Sequence, residues 1–364
     1  DQVEGYQSWF AVAAVDETPP SAPSGLVATP ESGQVVLTWT ANSESDLASY
    51  KVYGGTSSSP TTLVATISSG TETSTVTSLT NGTLYYYRIS AVDNSGNESS
   101  KTSDVSVLPH DINGSYSLSF DGSNDYVEIL NSTSLSLDGV SAFSVQIWVK
   151  NSEIWTSPRW SYILSKSDQT GGWGFSGGYI IRSGADGGAP FGYNGILETS
   201  AGEHGFSSSG TITANWEQVI VVYNGSDVKF YRDGSLSNTN MGISGTLSDY
   251  VGNMYFGSAN NGSTHFYDGL LDDIAIWNEA ITSAEITALY NSGLPLSASS
   301  NSGNYTSSAN LKGYWRFNEN TGSAAYDISG NGNHGTITGA SYSSHFPEVT
   351  PPSTPSSLAA AAGN

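Results

Sequence analysis

Short stretches in which apolar and polar residues alternate recur along most of the chain, and each predicts a half-buried β-strand. Gln34 to Thr40 puts Val35, Leu37 and Trp39 on one face. Ser49 to Tyr53, Thr61 to Ile67 and Ser74 to Leu79 follow at short intervals. Leu84 to Val92 places Tyr85, Tyr87, Ile89 and Ala91 together, and Asp104 to Leu108 closes this first set. About seven strands in so short a stretch predict an antiparallel β-sandwich.

A second, larger set begins at Tyr116 to Phe120 and Asp125 to Ile129, two short strands around Asp121-Gly122-Ser123-Asn124. Phe143 to Val149 alternates Phe143, Val145, Ile147 and Val149 against Ser144, Gln146 and Trp148. Glu217 to Tyr223 is almost continuously apolar, which predicts a strand buried on both faces. Val228 to Arg232 follows Asn224-Gly225, and Asp233-Gly234 supplies the positive-φ pair of a two-residue hairpin turn. Gly269 to Trp277 is a further strand. One short helix is predicted: Thr282 and Glu285 form a capping box, Ile286, Leu289 and Tyr290 give the apolar stripe, and Gly293 supplies the stop. The fold class is therefore all-β.

Two proline-rich stretches, TPPSAPSGL at 18–26 and TPPSTPSSL at 350–358, are near copies, as linkers between tandem modules would be. Tyr6 to Asp16 also resembles Tyr85 to Asp93. These repeats divide the chain into the tail of one module (1–17), a complete small sandwich (18–110), a larger domain (111–348), and a linker with the first strand of another module (349–364). On this expectation the chain is a piece of a longer array.

Composition narrows the function classes. Eleven Lys and Arg against 33 Asp and Glu give a net charge of −22 over 364 residues. Such a surface repels phosphate backbones and anionic lipid, arguing against nucleic-acid or membrane-surface partners. The same charge favours solubility and attracts divalent cations. There is no cysteine, so disulfides, thiolate metal sites and thiol nucleophiles are excluded. No run of 18 apolar residues suggests a spanning helix.

Pro23 with Leu26, Trp39, and the Leu79-x-x-Gly82-Thr83-x-Tyr85 motif resemble the fibronectin type III module. The resemblance implies that Tyr85 is a tyrosine-corner residue bonding back to backbone. No Arg-Gly-Asp occurs, which leaves a spacer role for this module. SLSFDGSNDYVEI at 117–129, FSVQIWVK at 143–150, NWEQVIVVYNG at 215–225, VKFYRDGSL at 228–236 and FYDGLLDDIAIWNEAITSAEITALYN at 266–291 resemble the laminin-G-like branch of the concanavalin-A-like jelly rolls. LKGYWRFNENTGSAAYDISGNGNHGTI at 311–337 belongs to the same resemblance and is read as the strands closing that jelly roll. Both resemblances imply an extracellular or cell-surface protein.

Candidate chemistry lies in three places. Asp121, Asn124 and Asp125 share one turn, and Asp268, Asp272 and Asp273 flank a strand that this fold brings nearby. Hard oxygen ligands without His or Cys suit a structural Ca²⁺ ion. The loop Asp327 to His334 lacks a terminal bidentate Glu and reads as Asx-turns. Trp155, Trp160, Trp173, Tyr179 and Tyr193 fall in a Gly- and Ser-rich region read as loop, where aromatic rings could stack on sugars. Glu198 and Glu203 are read as loop residues without strand alternation to aim them. No paired-Glu strand, His-Glu-x-x-His or Gly-x-Ser-x-Gly motif appears, so the chain is expected not to be an enzyme.

The leading expectation is an adhesion segment whose jelly roll binds a glycan or a cell-surface or matrix protein. The alternatives are a strut or filament subunit self-associating into fibres by strand exchange, and an accessory domain of a secreted polysaccharide-degrading enzyme.

Overall fold

The computed structural model describes residues 16–109, 116–152, 160–167, 177–184, 192–259 and 262–347. The expected module tail before Asp16 and the expected linker and strand from Val349 onward lie outside the described residues. The chain divides into two units at Ile112/Asn113.

The first unit has strands β1 (Ser24–Glu31), β2 (Gln34–Thr40), β3 (Leu47–Gly55), β4 (Leu63–Ser68), β5 (Thr73–Thr77), β6 (Tyr85–Asp93) and β7 (Val105–Val107). They form a three-stranded sheet, β1-β2-β5, and a four-stranded sheet, β4-β3-β6-β7. The period-2 pattern explains the core. Val35, Leu37 and Trp39 from one sheet meet Tyr50, Val52, Tyr87, Ile89 and Ala91 from the other. Trp39 and Tyr50 meet edge to face, with centroids 5.2 Å apart. The Tyr85 hydroxyl accepts a hydrogen bond from the Thr80 backbone N–H at 3.2 Å, tying the strand to its preceding turn.

The second unit continues in chain order with β8 (Ser117–Asp121), β9 (Tyr126–Ile129), β10 (Phe143–Asn151), β11 (Ser161–Ser167), β12 (Gly178–Gly184), β13 (Gly192–Thr199), β14 (Gly202–Ser207) and β15 (Glu217–Tyr223). It goes on with β16 (Asp227–Arg232), β17 (Ser235–Met241), β18 (Met254–Phe256), β19 (Asp268–Trp277), α1 (Ser283–Tyr290), β20 (Leu311–Trp315), β21 (Ala324–Ala325), β22 (Gly335–Thr338) and β23 (Ser341–Ser343). Among the described residues, one sheet runs β17-β16-β15-β10-β19-β8-β23, with β20 also pairing β19. The other runs β14-β13-β12-β11-β18-β9-β22-β21.

Alternation places Val145, Ile147 and Val149 of β10 in the core between the sheets, together with Leu118, Phe120, Val127 and Leu164. The opposite face of the first sheet is covered too. Ile220, Val222, Ala275 and Trp277 pack against Ile286 and Leu289 of α1 and against Tyr305. All seven residues of β15 are buried, because one face meets the second sheet and the other meets the helix layer. The segment 311–343 belongs to this same double layer: Trp315 pairs with Ile274, Ile337 with Val127, and Tyr342 with Leu118.

The capping box forms as expected, with Thr282 and Glu285 bonding reciprocally. The helix ends earlier than Gly293, however. Asn291 takes the left-handed conformation at the C-cap, with φ 45°, and Asn tolerates it.

Candidate functional site

The six oxygen ligands expected to share a calcium ion do not converge. Asp121 and Asp268 are direct partners across β8 and β19. Asp125 closes the turn beside them, its Oδ2 accepting the Asp121 N–H at 2.8 Å. Burial, and then the Asp121 charge, push the Asp125 carboxyl above its ordinary range. Asn124 is exposed on the same turn.

Asp272 and Asp273 lie a full turn of pleat further along β19 and are buried. A β-bulge there gives Asp273 a left-handed backbone, φ 42°, and shifts the register against β10. The Asp273 carboxylate accepts from the Tyr314 hydroxyl and from Arg316 Nε at 3.1 Å. Asp272 accepts from the Asp273 N–H. Burial first, and the Asp273 charge second, hold Asp272 well above the usual carboxylate range. The six expected ligands thus stand in two groups, Asp121, Asn124, Asp125 and Asp268 at the start of β19, and Asp272 and Asp273 further along it.

Among the described residues, one set of three acidic side chains brings its oxygens within 4.8 Å of one another: Asp16, Asp46 and Asp93 of the small sandwich. The Asp93 carboxylate already accepts from the Ser95 and Asn97 N–H groups and the Asn97 amide. Sequence spacing did not suggest this grouping. In the loop from Asp327 to His334, Asp327 accepts from the Tyr314, Ser329 and Asn333 N–H groups. That is the self-satisfied turn chemistry expected of it.

The five candidate sugar-binding aromatics also separate. Trp155 and Trp173 lie outside the described residues. Tyr179 and Tyr193 are 1% and 0% exposed, on β12 and β13 rather than loops, so neither can present a face to a sugar. Their glycine-rich flanks are strand ends, and both side chains join the core. Trp160 is half-buried, with the Arg182 guanidinium 3.7 Å from its ring centroid. Glu198 and Glu203 are not in a loop. They pair face to face across β13 and β14, because the strands turn tightly at Ser200 and Ala201.

The residues that do form a concave site are others. A cleft of about 300 Å³ opens at the end of the first sheet, lined by Ser119, Lys150, Ser152, Asp268, Leu270 and His345 among others. Register explains the grouping. Ser119 pairs with Leu270, and Leu270 with Lys150, so the three stand in one cross-strand row facing away from the core. One step further, Asp268 stands beside Asp121, and the Ser152 hydroxyl donates to the Asp268 carboxylate.

The end of β10 beneath the cleft is held firmly. The Tyr267 hydroxyl donates to the Lys150 carbonyl at 3.0 Å. The Asn151 amide donates to the Tyr193 hydroxyl, which donates to Glu217 at 2.8 Å. Burial pushes the Tyr193 and Tyr267 hydroxyls far above their ordinary range, so they stay protonated donors. Lys150 makes no ion pair with a described residue. The arrangement offers a cationic donor, a carboxylate acceptor and a hydroxyl over the apolar Leu270. Its sequence signal was available: Lys150 ends the alternation of β10 on the outward phase, two residues beyond Trp148.

Two family models match this architecture. The family model described as "Concanavalin A-like lectin/glucanases superfamily" (laminin-G type) matches residues 121–287, and that of the fibronectin type III domain matches residues 21–106. No curated protein matches the chain. Among solved structures, the chain is similar to a candidate carbohydrate binding protein from Bacteroides ovatus. The two are 15% identical over 90% of this chain and 94% of that one, with a TM-score of 0.46. A heptameric SAP-like pentraxin from Limulus polyphemus is 18% identical over 48% of this chain and 82% of its own, with a TM-score of 0.38. An Fn3-like protein from Clostridium thermocellum is 34% identical over 26% of this chain and 98% of its own, with a TM-score of 0.23. With two double-layered β units and both family models matched in sequence, the chain carries a fibronectin type III domain followed by a laminin-G-like domain of the concanavalin A-like superfamily.

Proposed function

We propose that this chain is a non-catalytic, extracellular binding segment in which the laminin-G-like domain holds a carbohydrate and the fibronectin type III domain serves as a spacer. The observation that carries the reading is the cleft at the end of β8, β10 and β19. There the ammonium of Lys150, lacking an ion-pair partner among the described residues, stands near the Asp268 carboxylate and the Ser152 hydroxyl. Neighbouring hydroxyls of a sugar need donors and acceptors side by side, and Leu270 supplies apolar contact for the ring's C–H face. Both domain types are typical of extracellular proteins, and no helix among the described residues is long and apolar enough to cross a membrane.

The test is a glycan array followed by titration calorimetry of the best neutral oligosaccharide on the intact chain. Lys150→Met and Asp268→Asn should each weaken binding about 10- to 100-fold, the loss of one or two hydrogen bonds to charged groups. Circular dichroism should show the fold intact. Unchanged affinity in both variants would refute the cleft. Loss in Trp160→Ala instead would move the site to the Trp160–Arg182 pair on the second sheet.

A further inference from the structure

Lys166 near the end of β11 and Asp249 in the segment before β18 meet inside the jelly roll, 83 residues apart in sequence. Their side chains are 1% and 4% exposed, and Lys166 Nζ lies 2.7 Å from Asp249 Oδ2. It is the most deeply enclosed ion pair among the described residues.

Counted over the described residues, the polar atoms of an ion pair are left incompletely bonded here. An ammonium has three N–H donors and a carboxylate has two accepting oxygens. Lys166 donates to Asp249 Oδ2 and to the Tyr250 carbonyl. No third acceptor for it is found among the described residues. Asp249 Oδ2 also accepts the Leu137 N–H at 3.3 Å, but Oδ1 is enclosed with no partner among the described residues. A buried, unsatisfied carboxylate oxygen is among the least favourable groups a protein interior can hold. A secondary amide between the two side chains would have one N–H and one C=O. The N–H would keep the Tyr250 carbonyl, the C=O would keep the Leu137 N–H, and no polar atom would be left over.

We propose that Lys166 and Asp249 are joined by an isopeptide bond that forms spontaneously once the jelly roll has folded. In the first step a proton passes from the ammonium to the carboxylate across their hydrogen bond. The Nζ lone pair then forms a bond to Cγ. One carboxyl oxygen leaves as water, taking the carboxyl proton and one amine proton. Lysine amine and carboxylic acid become amide and water, with no change of oxidation state.

The surrounding structure holds the reacting atoms in place. The Gly178 N–H donates to the Ser248 carbonyl at 2.6 Å, and Gly178 itself pairs with Ser167, fixing the Asp249 segment against β11. Groups held this way react with effective molarities of about 10⁵ M or more. In a chain without cysteine the bond would lock a long loop covalently.

Denaturing mass spectrometry of the intact chain tests the proposal. The wild type should be lighter than its sequence mass by one water, and digestion should yield a branched peptide joining the segments of Lys166 and Asp249. Lys166→Met and Asp249→Ala should each restore the full mass. If those variants do not fold, the wild-type branched peptide alone decides. A full wild-type mass, with Lys166 and Asp249 recovered in separate linear peptides, overturns the proposal. So does a missing water without the branched peptide.

Discussion

Replacing Glu285 by glutamine should destabilise the jelly roll by about 2 kcal/mol at neutral pH, and the size of the effect should depend on pH in a defined way. Glu285 is buried at the start of α1. Its Oε2 accepts from the Thr282 N–H and hydroxyl, both at 2.9 Å. Its Oε1 accepts from the Thr306 N–H and hydroxyl and from the Ser307 hydroxyl. The carboxylate thus clamps the helix start to the segment that leads into β20. Burial alone would raise its pKa. Hydrogen bonds from Ser307, Thr282 and Thr306 more than offset this and lower it from 4.5 to about 2. At about 1.4 kcal/mol per unit that is about 3 kcal/mol, which solvent screening at the helix end reduces to about 2 kcal/mol. Glutamine keeps the shape but turns one acceptor into a donor facing other donors. Because the folded pKa lies below the unfolded one, this stabilisation is fully present above pH 4.5 and is lost as pH falls towards 2. Urea unfolding should be followed by hydrogen exchange of peptides from β10, which isolates the jelly-roll transition. The wild type should exceed Glu285→Gln by about 2 kcal/mol at pH 7, and the gap should narrow steadily below pH 4.5. A gap under about 0.5 kcal/mol, or one that does not change with acid, would refute the reasoning.

Three further outcomes follow from backbone and charge. Gly178 has φ +86°, and a Cβ there would stand 1.7 Å from the Lys166 carbonyl oxygen; Gly178→Ala should cost about 4 kcal/mol or prevent folding. Gly139, with φ +73° and open space around it, should lose only about 1 kcal/mol as alanine in the same urea assay. Any calcium-dependent rise in melting temperature should vanish in Asp46→Asn and survive in Asp268→Asn, because only Asp16, Asp46 and Asp93 bring three carboxylates together among the described residues. Loss of the rise in Asp268→Asn alone would return the ion to the jelly roll.

The strands were legible because a strand's side-chain period is a local property. Val35, Leu37 and Trp39 are in phase whatever their partners, and β15 announces its two buried faces by lacking a polar phase. The helix was legible for the same reason, since its capping box spans only Thr282 to Glu285. Glycine misled the reading where it marks close packing and not a loop. At Gly195 an added Cβ would lie 2.2 Å from the Ile180 carbonyl and 2.4 Å from the Phe206 ring, so the residue is required inside a strand. Reading such glycines as loop signals put Tyr179 and Tyr193 on the surface when both belong to the core.

The site was less legible because it is made by register between distant strands. Asp268 and Asp272 look equivalent in sequence, as two acids on one strand. Their pairing separates them: Asp268 stands opposite Asp121 at the cleft, Asp272 lies opposite Trp148 within the sheet, and the bulge after it draws Asp273 to Arg316. The same logic runs the other way for Ser119, Leu270 and Lys150, which nothing in the local sequence connects. They meet because β19 pairs with β8 on one side and β10 on the other. A one-residue slip in either pairing would turn Lys150 or Leu270 towards the core and close the cleft. The binding chemistry proposed here is thus a consequence of strand register, and the buried layers on both sides of the first sheet are what hold that register in place.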